Sequence, residues 1–274
     1  MVAFMRALAD AGITSVRGFS DPTARVLLPQ PWSALYTVLS RSLRHTPEYR
    51  RCISNRIDVL PLRTMAFDRE LRRALVAGYG QVAILGAGLD GRAHRLRELS
   101  SAVVFEVDHP ASQALKRKST SGLPCWPRAL HYVSVDFERE RLGDRLALGG
   151  HRADLPTVWI WEGVVTYLSD AALRQTLDSM AERSTAGSLL LVQYTEPDPT
   201  ARDLRSMRWF TSLLGEPQIG LRRQATMAAE LRRAGYAVVR DTNALDWAQE
   251  FADQPPTTPF VRCIRLAVAE RVAA

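Results

Sequence analysis

The chain has 274 residues, 46% of them hydrophobic, enough for one large α/β domain with its own core. No apolar run approaches the roughly 18 residues of a membrane helix, and Cys52, Cys125 and Cys263 are too scattered for a disulfide framework or a zinc pattern. The formal charge of +7 is almost wholly arginine, with lysine only at Lys116 and Lys118, and the arginines are dispersed along the chain, so neither nucleic acid nor a membrane is expected as a partner.

The five histidines lack metal-site spacing, and no metal is expected. Met1–Asp10 is apolar but broken by Arg6 and Asp10, which fits a short amphipathic helix better than a leader and implies a cytoplasmic enzyme. Residues 1–80 form a helical prologue. Ser20-Asp21-Pro22-Thr23-Ala24 reads as a turn, and Trp32–Leu43 as a helix with Leu35, Val38, Leu39 and Leu43 on one face. A helix over Glu48–Leu60 is expected to stop before Pro61, and another to open at Arg63–Asp68, with Phe67, Leu71, Leu75 and Val76 along one side, and end at Gly78.

From Gln81 strands and helices alternate, which calls for a parallel sheet with right-handed crossovers. The expected strands are Gln81–Leu85, Ala102–Val107, His131–Val135, Thr157–Trp161, Ser188–Val192, Ala237–Arg240 and Val261–Val268, the last two without a helical connector. Helices are expected over His109–Lys118, over Ser169–Ser184 with Ser169 as N-cap, and over Gln224–Ala234. An amphipathic segment, Arg202–Leu214, breaks the rhythm and suggests a lid over the substrate. The expected layout is a single domain: helical cap 1–80, cofactor-binding core 81–194, lid insertion 195–222 and the rest of the sheet in 223–274.

The first strand runs into Gly86-Ala87-Gly88-Leu89-Asp90-Gly91-Arg92, a turn whose glycines bring backbone N–H groups to a ligand. Gly86, Gly88 and Gly91 satisfy the dinucleotide pattern G-x-G-x-x-G as well as the looser G-x-G of S-adenosylmethionine sites. Eighty residues ahead of this strand, and seven strands in all, favour a Rossmann-like class I methyltransferase sheet with helices on both faces over an NAD-dependent dehydrogenase. Asp108, Asp136 and Glu162 each follow the C-terminal end of a strand. Asp108 suits ribose hydroxyls, Asp136 the adenine amine with Phe137 against the ring, and Glu162 the ammonium of a methionine group. Arg63 is the partner expected for that group's carboxylate.

These residues resemble the leucine carboxyl methyltransferase family, in particular its bacterial S-adenosylmethionine-dependent branch. The matching pieces are Asp21-Pro22-Thr23-Ala24, Arg63-Thr64 with Asp68, the run Gln81–Leu96, Phe105–Pro110, Asp136-Phe137 and Glu162–Leu168. The resemblance implies S-adenosylmethionine as cofactor, contacted by Arg63, Gly86, Asp108, Asp136, Phe137 and Glu162, with Tyr167 in the acceptor pocket; Gly88 and Asp90 of the glycine turn are expected to contact it as well. Gly91 departs from it, because the family more often carries Thr or Ser there. The expected reaction is O-methylation of a small, anionic acceptor, most simply a carboxylate, which needs no general base. A phenol or enol hydroxyl of a secondary metabolite is the alternative; it would need a base, for which His94, His109 and Glu162 are the candidates. Glu162 and Tyr167 are the expected catalytic residues, and Arg205 and Arg208 are placed to draw in the acceptor.

Overall fold

The computed structural model describes residues 1–44, 46, 53–55, 57–136, 140–197, 219–257 and 260–273. The expected lid helix with Arg205 and Arg208, Phe137, and residues 48–52 and 56 of the helix expected over 48–60 lie outside the described residues.

Seven strands form one sheet in the order β3-β2-β1-β4-β5-β7-β6. They are β1 Gln81–Leu85, β2 Val103–Asp108, β3 Ala129–Ser134, β4 Val158–Trp161, β5 Leu189–Thr195, β6 Tyr236–Asn243 and β7 Ile264–Arg271. The first five are parallel, and β7 runs antiparallel between β5 and β6. β1 and β4 are buried at every position, as strands covered on both faces must be. Alternation sends Val82, Ile84, Val104 and Ile160 to one face, where they meet Phe67 and Leu71 of α4 (Val59–Val76) and Trp247 of α10 (Ala244–Phe251). Ala83, Leu85, Phe105, Trp159 and Trp161 go to the other. There they meet α7 (Leu142–Leu148), α8 (Asp170–Glu182) and α9 (Gln224–Arg233) through Leu146, Leu173, Leu177 and Leu231. A third cluster, with Phe4, Leu8, Leu28 and Leu43, joins α1 (Val2–Asp10), α2 (Pro22–Val26) and α3 (Trp32–Arg44). No helix among the described residues is long and apolar enough to cross a membrane.

Several elements differ from expectation, each for a local reason. The segment read as a turn at 20–24 contains α2, because Asp21 caps it by accepting from Ala24 N and Pro22 occupies the first helical position, where a missing N–H costs nothing. Pro61 ends no helix; it sits in the first turn of α4, which starts at Val59, and Val76 at the far end of that helix is 90% exposed although Phe67 and Leu71 on the same side are buried. The helix after β1 is cut to α5 (Arg92–Arg95). The carbonyls of Ala93 and His94 are taken at 3.0 Å by the backbone and indole N–H groups of Trp126, so they are diverted from a continuing helix. The last two strands do pair, but a helical connector joins them: α10, then α11 (Phe260–Cys263). Asn243 and Asp246 form a capping box at the start of α10, a signal visible in the sequence and missed. α7 was likewise unexpected.

A charged pair lies wholly inside the fold between β2 and the helix that follows it. Glu106 of β2 faces the sheet side covered by α6 (Pro110–Thr120), and Lys116 of that helix brings its Nζ to 2.6 Å from Oε2, with both side chains at most 2% exposed. Neither group has a hydrogen bond of good geometry, so the contact is electrostatic. Burial pushes the Glu106 carboxyl up from 4.5 to about 7, against the pull of Lys116, with Asp90 and Asp108 adding to the rise. A raised carboxyl pKa makes the folded chain hold a proton that the unfolded chain releases. The resulting stability is full below about pH 4.5 and is lost as pH rises to about 7. Between these limits the loss is on the order of 3 kcal/mol. Chemical denaturation of Glu106→Gln/Lys116→Met across that range should show this slope removed, and either single substitution should destabilise more than the pair at pH 8.

Candidate functional site

The glycine turn after β1 is shaped by two contacts. Gly86 has φ +64° and a Cβ there would stand 2.4 Å from Val164 Cγ2, so the loop after β4 packs directly on the turn. Gly88, at φ +36°, donates its N–H to Asp108 Oδ2, while the other Asp108 oxygen accepts from His109 N at 2.6 Å. Asp108 is thus held at the mouth of the turn with one acceptor position left on each oxygen. Val135 N donates to Asp108 O at 3.0 Å, which sets the end of β3, and Asp136 with it, beside the end of β2.

The prologue covers this turn. Arg6 of α1 donates to Leu89 O at 2.6 Å, and Thr23 Oγ1 stands 1.8 Å from where a Cβ of Gly91 would be. Gly91 has φ −103°, so its freedom is not what the position requires. What it requires is the space that Thr23 fills.

Beneath the turn lies a network of charges. The Arg92 guanidinium, 1% exposed, donates Nε to Asp68 Oδ1 at 2.8 Å, Nη2 to Glu162 Oε2 at 2.7 Å and Nη1 to Asp90 Oδ2. Arg63 of α4 donates Nε to the other Glu162 oxygen at 2.7 Å. Arg95 bonds Asp68 Oδ2 at 2.5 Å and lies 3.7 Å from Asp21 Oδ1, and Arg6 meets Asp21 Oδ2 at 3.2 Å. Arg6, Arg63, Arg92 and Arg95 therefore face Asp21, Asp68, Asp90 and Glu162, four cations against four anions.

Burial opposes ionisation throughout, but the partners prevail. Arg92, then Arg63, hold Glu162 below the ordinary carboxylate range; Arg95 and Arg92 do so for Asp68; and Arg92, Lys116 and Arg6 do so for Asp90. Burial likewise works against the Arg92 charge, yet Asp90, Glu162 and Asp68 push its pKa up. All four of these groups stay charged at neutral pH.

Of the residues singled out in the sequence, Arg63, Gly86, Gly88, Asp90, Asp108, Asp136, Glu162 and Tyr167 all gather at the C-terminal edge of β1 to β4, the crevice where open α/β sheets bind ligands. Arg63 and Glu162, expected on the carboxylate and the ammonium of one methionine group, are bonded to each other. Arg92, Arg95, Asp68, Asp21 and Arg6 were not given roles. Asp68 carried the available signal: a carboxylate one residue from Phe67 and three from Leu71, on the buried side of an amphipathic helix, requires a buried cation. His94 turns Nδ1 to Pro124 O at 2.8 Å behind the turn, and burial lowers its pKa; His109 caps α6 by accepting from Ala111 N.

The sequence profile of the leucine carboxyl methyltransferase family matches residues 1–181, the span that holds the whole charge network and Tyr167. The chain belongs to this family. Among relatives, a protein of Mycolicibacterium vanbaalenii provisionally named an S-adenosyl-L-methionine-dependent methyltransferase is 34% identical over 202 residues, covering 71% of this chain and 64% of its own length. The chain thus spans less than two thirds of that relative. A protein of Mycobacteroides abscessus with the same provisional name is 30% identical, covering 92% of this chain and 79% of its own. Among solved structures, a DUF574 family protein from Streptomyces avermitilis superposes with a TM-score of 0.59 at 16% identity, covering 91% of this chain and 95% of that one. The likeness is one of fold, and this member of the family has the Rossmann-like class I methyltransferase sheet expected from its sequence.

Because Arg92 is shared by three buried carboxylates, Arg92→Met should destabilise the fold by about 3–5 kcal/mol. Thermal and denaturant unfolding will measure this, and Arg72→Met, whose partner Glu98 is about as exposed as it is, should cost under about 1 kcal/mol in the same assay.

Proposed function

We propose that the protein is an S-adenosylmethionine-dependent O-methyltransferase that converts a carboxylate of a small molecule into its methyl ester. The observation that carries the reading is the juxtaposition of the glycine turn, Asp108 and the Arg63–Glu162 pair at one sheet edge, in a chain of this family.

The residues present fit this donor. Asp108 retains acceptor capacity for ribose hydroxyls, and Asp136 lies beside it for the adenine amine. Glu162, kept ionised by Arg92 and Arg63, can accept from an ammonium. The Arg63 terminal nitrogens, which donate to no group among the described residues, can take a carboxylate. S-adenosylmethionine bound there supplies a methyl group on a sulfonium for in-line displacement by an acceptor oxygen.

The choice of a carboxylate acceptor rests on what the neighbouring groups cannot do. Both Glu162 oxygens are bonded to arginines and its pKa is lowered, which makes it a poor general base. His94 is turned away onto Pro124 O, and His109 is engaged in its helix cap. An acceptor already ionised at neutral pH needs none of them. Tyr167, half-buried in a 3-10 turn over Val165–Tyr167, stands on the same edge as a positioning group for the acceptor. The alternative acceptor, a phenol or enol of a secondary metabolite, would require a base that these contacts withhold.

Transfer of labelled methyl from S-adenosylmethionine to a panel of small carboxylic acids should give a product cleaved by mild alkali, at a rate level between about pH 6 and pH 9 because neither acceptor nor Glu162 titrates there. An alkali-stable product, or a rate climbing with pH, would exclude the carboxylate. Asp108→Ala should abolish the thermal shift that S-adenosylhomocysteine gives the wild-type protein, and Arg63→Ala should weaken binding of that ligand by at least about 1.5 kcal/mol.

A further inference from the structure

Arg222 lies just before α9, outside the charge network, and is 4% exposed. Its guanidinium makes no ion pair within the buried core. Instead Nη1 donates to Val165 O at 3.2 Å and to Gly220 O at 2.7 Å, while Nη2 donates to Leu168 O at 3.0 Å and to the exposed carboxylate of Asp170 at 2.9 Å. Three main-chain carbonyls and one carboxylate therefore converge on one cation. Two of those carbonyls bracket the 3-10 turn that carries Tyr167.

The backbone on either side tightens the same grip. Gly220 N donates to Thr166 O and Arg222 N to Thr195 O, each at 2.9 Å, so residues 220–222 are bonded both to the turn and to the end of β5. A Cβ at Gly220 would stand 2.4 Å from Val165 O and 2.6 Å from Leu168 O, which leaves no room for any side chain. Val164, the residue just before the turn, has its Cγ2 2.4 Å from where a Cβ of Gly86 would stand. The loop carrying Tyr167 thus contacts both the glycine turn and the Arg222 guanidinium. A 3-10 turn of three residues has too few internal hydrogen bonds to fix itself; Arg222 adds a second donor to Val165 O, which already accepts from Leu168 N at 3.2 Å, and takes Leu168 O just past the turn's end.

We propose that Arg222 is a positioning residue for methyl transfer: it fixes the turn carrying Tyr167 against the donor site, and so serves the acceptor step rather than donor binding. The inference rests on the reading of the site as a methyltransferase centre. Lysine cannot replace it, because one ammonium lacks the planar fork that reaches carbonyls on both sides of the turn.

The test uses the full chain, as wild type, Arg222→Lys and Arg222→Met. It combines amide exchange, calorimetric binding of S-adenosylhomocysteine, and methyl transfer to the best acid found in the panel above. Exchange over residues 163–170 should be about tenfold faster in both variants while β1 and β5 keep their protection. The dissociation constant of S-adenosylhomocysteine and the KM for S-adenosylmethionine should stay within about threefold, and kcat should fall by about tenfold or more. Unchanged exchange over 163–170, or loss of S-adenosylhomocysteine binding in step with kcat, overturns the assignment. Loss of cooperative unfolding in both variants overturns it as well, since Arg222 would then hold the whole fold. If the wild-type protein itself fails to bind S-adenosylhomocysteine, the methyltransferase reading falls, and this inference with it; if it binds and only the exchange prediction fails, the inference alone is lost.

Discussion

A buried arginine is tolerable only where anions compensate it, and much of this molecule's architecture follows from Arg92 meeting that condition. Its three carboxylates come from three separate parts of the chain: Asp68 from the prologue helix, Asp90 from the glycine turn and Glu162 from the end of β4. Each ion alone would lose several kcal/mol on leaving water. With Arg6, Arg63, Arg95 and Asp21 they form a set of four cations and four anions that is neutral as a whole, so the candidate site can be buried and charged at once. Such an arrangement adds little to net stability compared with an apolar core of the same volume, but it specifies geometry, because the three Arg92 donors meet Asp68, Asp90 and Glu162 only where α4, the β1 turn and the end of β4 come together.

The same neutrality bears on ligand choice. A zwitterionic group entering between Arg63 and Glu162 exchanges one ion pair for two without altering the summed charge of the site, whereas a ligand bearing only one of those charges would leave a buried partner unmatched. On the proposed reading, discrimination at this point would be set by complementary charge more than by shape.

Much of the sheet was legible in the sequence because its central strands are short apolar runs that end in a carboxylate or glycine, and burial on both faces leaves little else that β1 or β4 could be. β6 was read too short: its outer half, Arg240–Asn243, is polar and lies at the sheet edge, where alternation weakens. The acids at the strand ends were found for the same reason as the strands. Of the arginines that meet Glu162, Arg63 was found and Arg92 was not. Arg92 follows a glycine at the start of what looked like an ordinary surface helix, and nothing local distinguishes it from the other arginines of an arginine-rich chain. That it is buried depends on Asp68 and Glu162, 24 and 70 residues away in sequence, meeting at one point. Helical connectors were missed where the cue was a cap rather than a long apolar stripe, as with Asn243 and Asp246.

Gly91 and Thr23 share a single pocket of volume, since the threonine hydroxyl occupies the site of the missing side chain. The two positions are therefore not free to vary independently during evolution. A lineage that acquires a serine or threonine at 91 has to shrink or withdraw the residue at 23, and one that enlarges residue 23 commits itself to glycine at 91. Pairs of this kind should covary across relatives, and their joint state would divide them by how α2 seats on the glycine turn, independently of any change in the charges beneath it.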